Sequence, residues 1–287
     1  MIAGIELGGT KTVVAIGNPD GKLIEEFRYP TTHPKDTLTI AVEWIRQRGL
    51  PVSLGVGAFG PVMLAGRGDD YGRMLATPKP GWEGFSISAF LRTAFPDCRV
   101  VVETDVNAAT LAESRCGAAR GLDDVVYITI GTGIGAGILA GGRLVHGALH
   151  PEFGHLKVPR SPVDEFAGLC PFHGDCLEGL ASGPAIAGRW GVDASALAPE
   201  HPAWEIQAWY LAHGVLALAA ITAPSRVVIG GGVAQLRGLH ERVQAEFVRL
   251  SAGYFLQAQT PDFIVPPALG QNAGIFGALL LAGGTDL

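Results

Sequence analysis

IAGIELGGTKTVVAIG, residues 2–17, sets an apolar run, a glycine corner and a second apolar run end to end. A glycine corner lets the backbone turn sharply and approach a ligand closely, because no Cβ stands in the way. The first run reads as a strand with Glu6 inside it, the second as a strand leaving the corner. NPDG (18–21) has turn chemistry, and KLIEEFRY (22–29) alternates as a third strand should. Asp36 then caps a helix with apolar positions at Leu38, Ile40, Ala41, Val42, Trp44 and Ile45, and Gly49 stands where a helix closes on glycine. VSLGVGAFG, residues 52–60, reads as a fourth, buried strand.

The same order returns about 120 residues later. VVYITIGTGIGAGILAGGRLVHG, residues 125–147, holds a strand, a glycine corner, a strand, a Gly141-Gly142 turn and a third strand. After an insertion over 148–200, the apolar helix 204–223 leads into RVVIGGG (226–232), a buried strand ending in glycines. Two copies of one β-β-β-α-β plan make a duplicated mixed α/β fold, in which the two glycine corners are expected to face each other across a cleft.

Composition narrows the function. The 287 residues are 48% hydrophobic, and 27 acidic against 21 basic side chains leave a formal charge of −6. That balance offers no basic footprint for nucleic acid or an anionic membrane, so neither is expected as a partner. The N-terminus lacks the pattern of a secretory signal, which makes the cytoplasm the expected location. Residues 208–223, AWYLAHGVLALAAITA, are interrupted by His213 and stopped by Pro224, short of the ~20 residues a bilayer needs. Cys98, Cys116, Cys170 and Cys176 are expected to be reduced in such a compartment.

Three glycine corners could hold phosphate. ELGGTK (6–11) adds a hydroxyl from Thr10 and a charge from Lys11. IGTGIGAG (130–137) is followed by a strand instead of a helix, so it is not a dinucleotide fingerprint. IGGG (229–232) precedes VAQLRGLHERVQAEF, a helical pattern from 233 whose N-terminus could face a phosphate. Asp105 sits between the strand VVVET and the helical run NAATLAESR, where it is either an ordinary helix cap or a carboxylate at the mouth of a site. CPFHGDC (170–176) gathers two cysteines and a histidine at spacings that suit zinc, a disulfide or chance. There is no Walker GxxxxGK[ST] sequence.

Together these stretches resemble the sugar kinases of the ROK family, within the actin-like ATPase (ribonuclease H-like) superfamily. The likeness runs over nearly the whole chain: ELGGTK, ETDVNAA (103–109), GTGIG (131–135), HPEFGH (150–155), CPFHGDCLEGLASGP (170–184) and IGGG. Within the family it is most similar to the bacterial fructokinases, on Glu6, Thr104-Asp105, CPFHGDC and TPKPGW (77–82). The resemblance implies a smaller lobe of residues 1–107 plus about 272–287, and a larger lobe of 108–271 with a zinc-binding insertion at 148–200.

It also implies roles. ATP would lie on Gly8, Gly9, Thr10, Lys11, Thr132, Gly133, Pro184, Gly231, Gly232 and Gln235, with magnesium on its phosphates. Asp105 falls on the family's general base, Glu152, His155 and Glu178 on its sugar contacts with Thr104 beside them, and Gly60, Pro61 and Trp82 on the pocket's other wall. His155 joins Cys170, His173 and Cys176 as a fourth ligand for a closed, structural zinc. Two departures stand out: Glu6 is one methylene longer than the aspartate of many relatives, and Thr104 lacks the amide that many present to the sugar. The implied reaction is phosphorylation of a hexose at its 6-hydroxyl by a homodimer, D-fructose first, with mannose, glucose or an N-acetylhexosamine as alternatives. The family's sugar-responsive transcriptional regulators carry a DNA-binding extension, and here the first strand begins at residue 2. A zinc hydrolase would keep an open coordination position, which a four-ligand set does not.

Overall fold

The computed structural model describes residues 1–18, 22–65 and 70–284. Strands β1 (Ile2–Leu7), β2 (Lys11–Gly17) and β3 (Leu23–Pro30) form the expected antiparallel meander. The backbone of Asn18 and Lys22 pairs across the first turn, whose residues 19–21 lie outside the described set. Helix α1 (Pro34–Arg46) leads to β4 (Ser53–Ala58), and α2 (Ile87–Ala94) to β5 (Arg99–Thr104). Both strands are parallel to their neighbour, so the first sheet runs β3-β2-β1-β4-β5. Helix α3 (Asp105–Cys116) follows.

The second copy consists of β6 (Val125–Ile130), β7 (Ile134–Ala140), β8 (Arg143–Leu144), β9 (Arg226–Gly230) and β10 (Ile264–Val265). Its order is β10-β9-β6-β7-β8, which read from the other edge matches the first sheet strand for strand. Gly141 and Gly142 both take positive φ, +57° and +77°, the backbone a tight hairpin needs. The strand after them is only two residues long. Between β8 and β9 lie the short α4 (Leu177–Ala181), α5 (Gly183–Trp190) and α6 (Ala203–Thr222). Helix α7 (Leu239–Ser251) precedes β10, and α8 (Ala273–Ala282) closes the chain. Among the described residues, no helix is long and apolar enough to cross a membrane.

The chain divides into two compact units. One holds Met1–Ala112, Arg143–Pro151 and the chain from Asn272; the other holds Glu113–Gly142 and Glu152–Gln271. The excursion Arg143–Pro151 clusters with the first unit, although its first two residues form the edge strand β8 of the second sheet. In the first unit, β1 and β4 are buried along almost their whole length, the reason they read as continuous apolar runs. Leu38, Trp44 and Ile45 of α1 share one core with Ile5, Val56 and Val102. On another face Ile275, Ala278 and Leu279 of α8 pack on Ile2, Val13 and Ala15. Burying each large side chain of this kind is worth about 1.5–3 kcal/mol. Gly55 permits this approach: a Cβ there would stand 2.0 Å from the Ala278 carbonyl oxygen.

Two local expectations change. Asp36 is not the cap of α1; His33 is, with extended backbone and no side-chain bond, and Pro34 follows at the start of the helix, where its fixed φ suits the first turn and its missing N–H costs nothing. Asp36 lies in the first turn, where its charge faces the helix's positive end. The helical pattern after IGGG begins with a single 3-10 turn, Val233–Gln235, and α7 starts only at Leu239. Gly238, at φ +87°, breaks the continuity, so no long helix points its N-terminus at the third glycine corner.

Candidate active site and metal centre

Asp105 is the first residue of α3, and the cap before it is Thr104. The Thr104 hydroxyl accepts from the Asn107 N–H at 3.1 Å, three residues on, as a helix cap should. Threonine can do this where the chain departs from an amide at this position. Asp105 Oδ1 accepts from the Val106 N–H at 2.8 Å, which fixes the carboxylate beside the helix start.

Glu103 organises this corner from behind, a role its position in sequence gave no sign of. It is 2% exposed, and its Oε1 accepts from the Thr104 N–H and the Asn107 Nδ2, both at 2.8 Å. Its Oε2 meets His146 Nε2 at 2.7 Å. That hydrogen bond is the main cause raising the His146 pKa above its ordinary value. His150 Nε2 accepts from the Val62 N–H at 3.2 Å and so anchors the chain just after Gly60-Pro61. Burial pushes the pKa of His150 down, which keeps it the neutral acceptor this bond requires. Trp82 is fully buried and edge-on to Phe59, the residue before Gly60-Pro61, at 5.0 Å.

Glycines leave open space at the corners. Nothing lies within 4 Å of where a Cβ would stand at Gly9, Gly131 or Gly232. Thr10, Thr132, Pro184, Gly232 and Gln235 are all exposed. Lys11 opens β2. Gly8 donates its N–H to the Lys11 carbonyl at 3.0 Å, which closes the first corner. Burial raises the carboxyl pKa of Glu6, and Lys11 and Arg28 pull it back down. Glu6 Oε2 is buried without a hydrogen-bond partner.

In the second unit three stretches meet. The Gly183 N–H donates to the Gly131 carbonyl at 2.8 Å, bringing the start of α5 and Pro184 to the second corner. Gly231, at φ +91°, lies so close to Ile130 that a Cβ would fall 2.3 Å from its carbonyl oxygen. The corners 130–135 and 229–232, separated by about 100 residues, thus share one backbone surface.

Glu152, His155 and Glu178 also belong to the second unit. Glu178 lies in the first turn of α4 and accepts from the Ile134 N–H at 2.9 Å. Glu152 is pushed up to about 7, by desolvation of its carboxyl first and the Glu178 charge second, although the residue as a whole is exposed. The His155 N–H donates to the Glu152 carbonyl at 3.0 Å.

His155, Cys170, His173 and Cys176 converge with their ligand atoms all within 4.8 Å of one another. The two Nδ1 atoms are 3.3 Å apart, and the three recorded Nδ1 to Sγ distances are 3.6–3.7 Å. With Zn–N of about 2.05 Å and Zn–S of about 2.3 Å, a tetrahedron sets these separations at about 3.3 and about 3.6 Å. The donor set therefore fits zinc, and its fourth ligand closes the site. All four cysteines are free thiols, which removes the disulfide reading of CPFHGDC. Burial pushes the Cys176 thiol up to about 11, and a divalent cation reverses that preference by stabilising the thiolate. With Nδ1 turned to the cluster, the Nε2 of His155 points the other way. Lys157 and Cys176 are bridged, as are Cys170 and Gly174, so short β pairings brace the ligand loop.

Two sheets of identical order, each with a glycine corner between its first two strands, define a duplicated α/β fold of the actin-like ATPase kind. The chain belongs to the ROK family, whose model matches residues 2–284. It is 42% identical to a fructokinase of Zymomonas mobilis, over 97% of this chain and 95% of that one. It is 36% identical to a fructokinase of Pediococcus pentosaceus, over 98% and 97% of the two chains. Among solved structures, a ROK family glucokinase from Streptomyces griseus in complex with glucose and AMPPNP superposes with a TM-score of 0.78 at 28% identity, covering 99% of each chain.

Proposed function

We propose that this protein transfers the γ-phosphoryl group of ATP to the 6-hydroxyl of a hexose, with D-fructose as the preferred acceptor and fructose 6-phosphate as product. The observation that carries the reading is the near full-length likeness to fructokinases. The geometry agrees with it. Phosphoryl transfer asks for positioning and charge stabilisation more than for covalent chemistry, and open glycine corners with Thr10, Lys11 and Thr132 suit the phosphates and their magnesium. Asp105 serves as the base that accepts the proton of the attacking hydroxyl, held at the helix start while Thr104 takes over the capping. Glu152, Glu178 and His155 Nε2 supply polar contacts for the sugar's other hydroxyls.

Zinc on His155, Cys170, His173 and Cys176 is structural: it holds the loop from which α4 and Glu178 project. Reduced thiols and a supply of ATP both suit the cytoplasm. The working form is a homodimer, as the family resemblance implies. An assay of ADP release across fructose, mannose, glucose and N-acetylmannosamine tests the reaction, with metal analysis and sedimentation on the same sample. Fructose should give the highest kcat/KM. A hexose at least tenfold better would displace it, and no ADP release with any of them would end the kinase reading.

A further inference from the structure

The first phosphate corner has its carbonyls tied down one after another. Gly8 O accepts from the Thr31 hydroxyl at 2.8 Å, and Thr10 O from the Thr31 N–H at 2.9 Å. Between them, Gly9 O accepts from the ammonium of Lys79 at 2.5 Å. That ammonium also donates to Thr31 O at 3.2 Å, and the Thr31 hydroxyl is in turn paired with Thr12 at 2.7 Å. Lys79 comes from the TPKPGW stretch, which is itself seated on the segment after Thr31: Trp82 Nε1 donates to Thr32 O at 2.8 Å.

A peptide unit is planar and trans, so its C=O and its N–H point in opposite directions. Holding the Gly9 carbonyl toward Lys79 turns the Thr10 N–H the other way. Gly9 has no Cβ and open space around it, so this peptide can rotate easily unless something grips it. A neutral donor would grip it weakly. A charge-assisted bond is shorter and roughly twice as strong, and it also leaves a positive charge beside a corner built for an anion.

The geometry points to Lys79 as a positioning residue of the ATP site, one that orients the Gly9-Thr10 peptide so that its N–H meets a phosphate of the nucleotide. The inference rests on the kinase reading above. It assigns to the 77–82 loop two separate duties: Trp82 packs on Phe59, the residue before Gly60-Pro61, and Lys79 sets the phosphate corner.

The test is calorimetric binding of MgADP to the full chain, alongside KM for ATP and for fructose, in wild type, Lys79→Met and Lys79→Arg. Lys79→Met should weaken MgADP binding and raise the ATP KM by about tenfold or more, with fructose KM within twofold; Lys79→Arg, which keeps a charged donor, should recover most of the loss. Two results overturn the assignment: MgADP affinity of Lys79→Met within twofold of wild type, or a fructose KM that rises in step with the ATP KM, which would mean that the whole loop had loosened. Wild type failing to bind MgADP would instead remove the kinase reading on which the inference rests.

Discussion

Glu178 Oε2 accepts a hydrogen bond from the Ile134 backbone N–H at 2.9 Å, and the helix that carries Glu178 begins directly after Cys176. One bond therefore joins the loop of the candidate metal ligands to the glycine corner of the second sheet. A Cβ at Gly133 would stand 2.6 Å from the same carboxylate oxygen, so the contact leaves no slack. Cys176→Ser, or a strong chelator at neutral pH, should release about one zinc per chain, lower the melting temperature and raise hexose KM. Metal analysis and steady-state kinetics check this; full hexose affinity after zinc release would refute the clamp.

Asp105→Asn should leave the fold and hexose affinity nearly intact, because Thr104, not Asp105, caps α3. Turnover should fall by ~10²–10⁴-fold, the usual contribution of a positioned base. Thr104→Ala should show the opposite balance, a stability loss of about 1 kcal/mol from the missing cap. Calorimetry for binding, kcat for chemistry and denaturant melts for stability separate the two residues.

Glu152 gives a pH signature. Its folded carboxyl titrates at about 7, above its ordinary 4.5, so the folded chain holds a proton that the unfolded chain has already released. The stabilisation is complete below the unfolded value and is lost as pH rises through the folded one. Glu152→Gln should therefore gain stability relative to wild type between pH 5 and pH 8, by an amount trimmed by solvent screening. Hexose KM of wild type should fall over the same range as the carboxylate forms. A Glu152→Gln profile with the same slope as wild type would assign the titration elsewhere.

The Asp164 side chain is buried and accepts from Nε and Nη2 of Arg189, whose side chain is also buried, at 3.0 Å each, with the Tyr210 hydroxyl on Oδ2 at 2.5 Å. Arg189 also reaches the Leu180 carbonyl at 2.7 Å, tying α5 to the end of α4. Asp164→Ala leaves a buried guanidinium without its partner and should cost about 3–5 kcal/mol. Tyr210→Phe removes a hydrogen bond to an ionised carboxylate and should cost about 1.5–3 kcal/mol. Denaturant midpoints would measure both, and an unchanged midpoint for Asp164→Ala would show that this network contributes nothing net.

The duplicated plan was legible in the chain itself, because strand alternation, buried apolar runs and corner glycines are local properties that survive in any context. The spacing of CPFHGDC was legible too, as two cysteines and a histidine in one short loop, but not which of zinc, a disulfide or chance it meant. Tertiary structure decided the rest. Lys79 grips Gly9 across 70 residues and His150 holds Val62 across 88, neither with a periodic trace between the partners. That Trp82 is buried to the last atom, edge-on to Phe59, has no trace in the spacing of TPKPGW. The helix expected at 233 waits for Leu239, because Gly238 adopts a left-handed backbone that its letter allows but does not demand. Sequence determines which conformations each segment can take at low cost. Which side chain meets which carbonyl is settled only when distant segments compete for the same buried hydrogen-bonding groups, since leaving one of those unpaired costs more than any local preference returns.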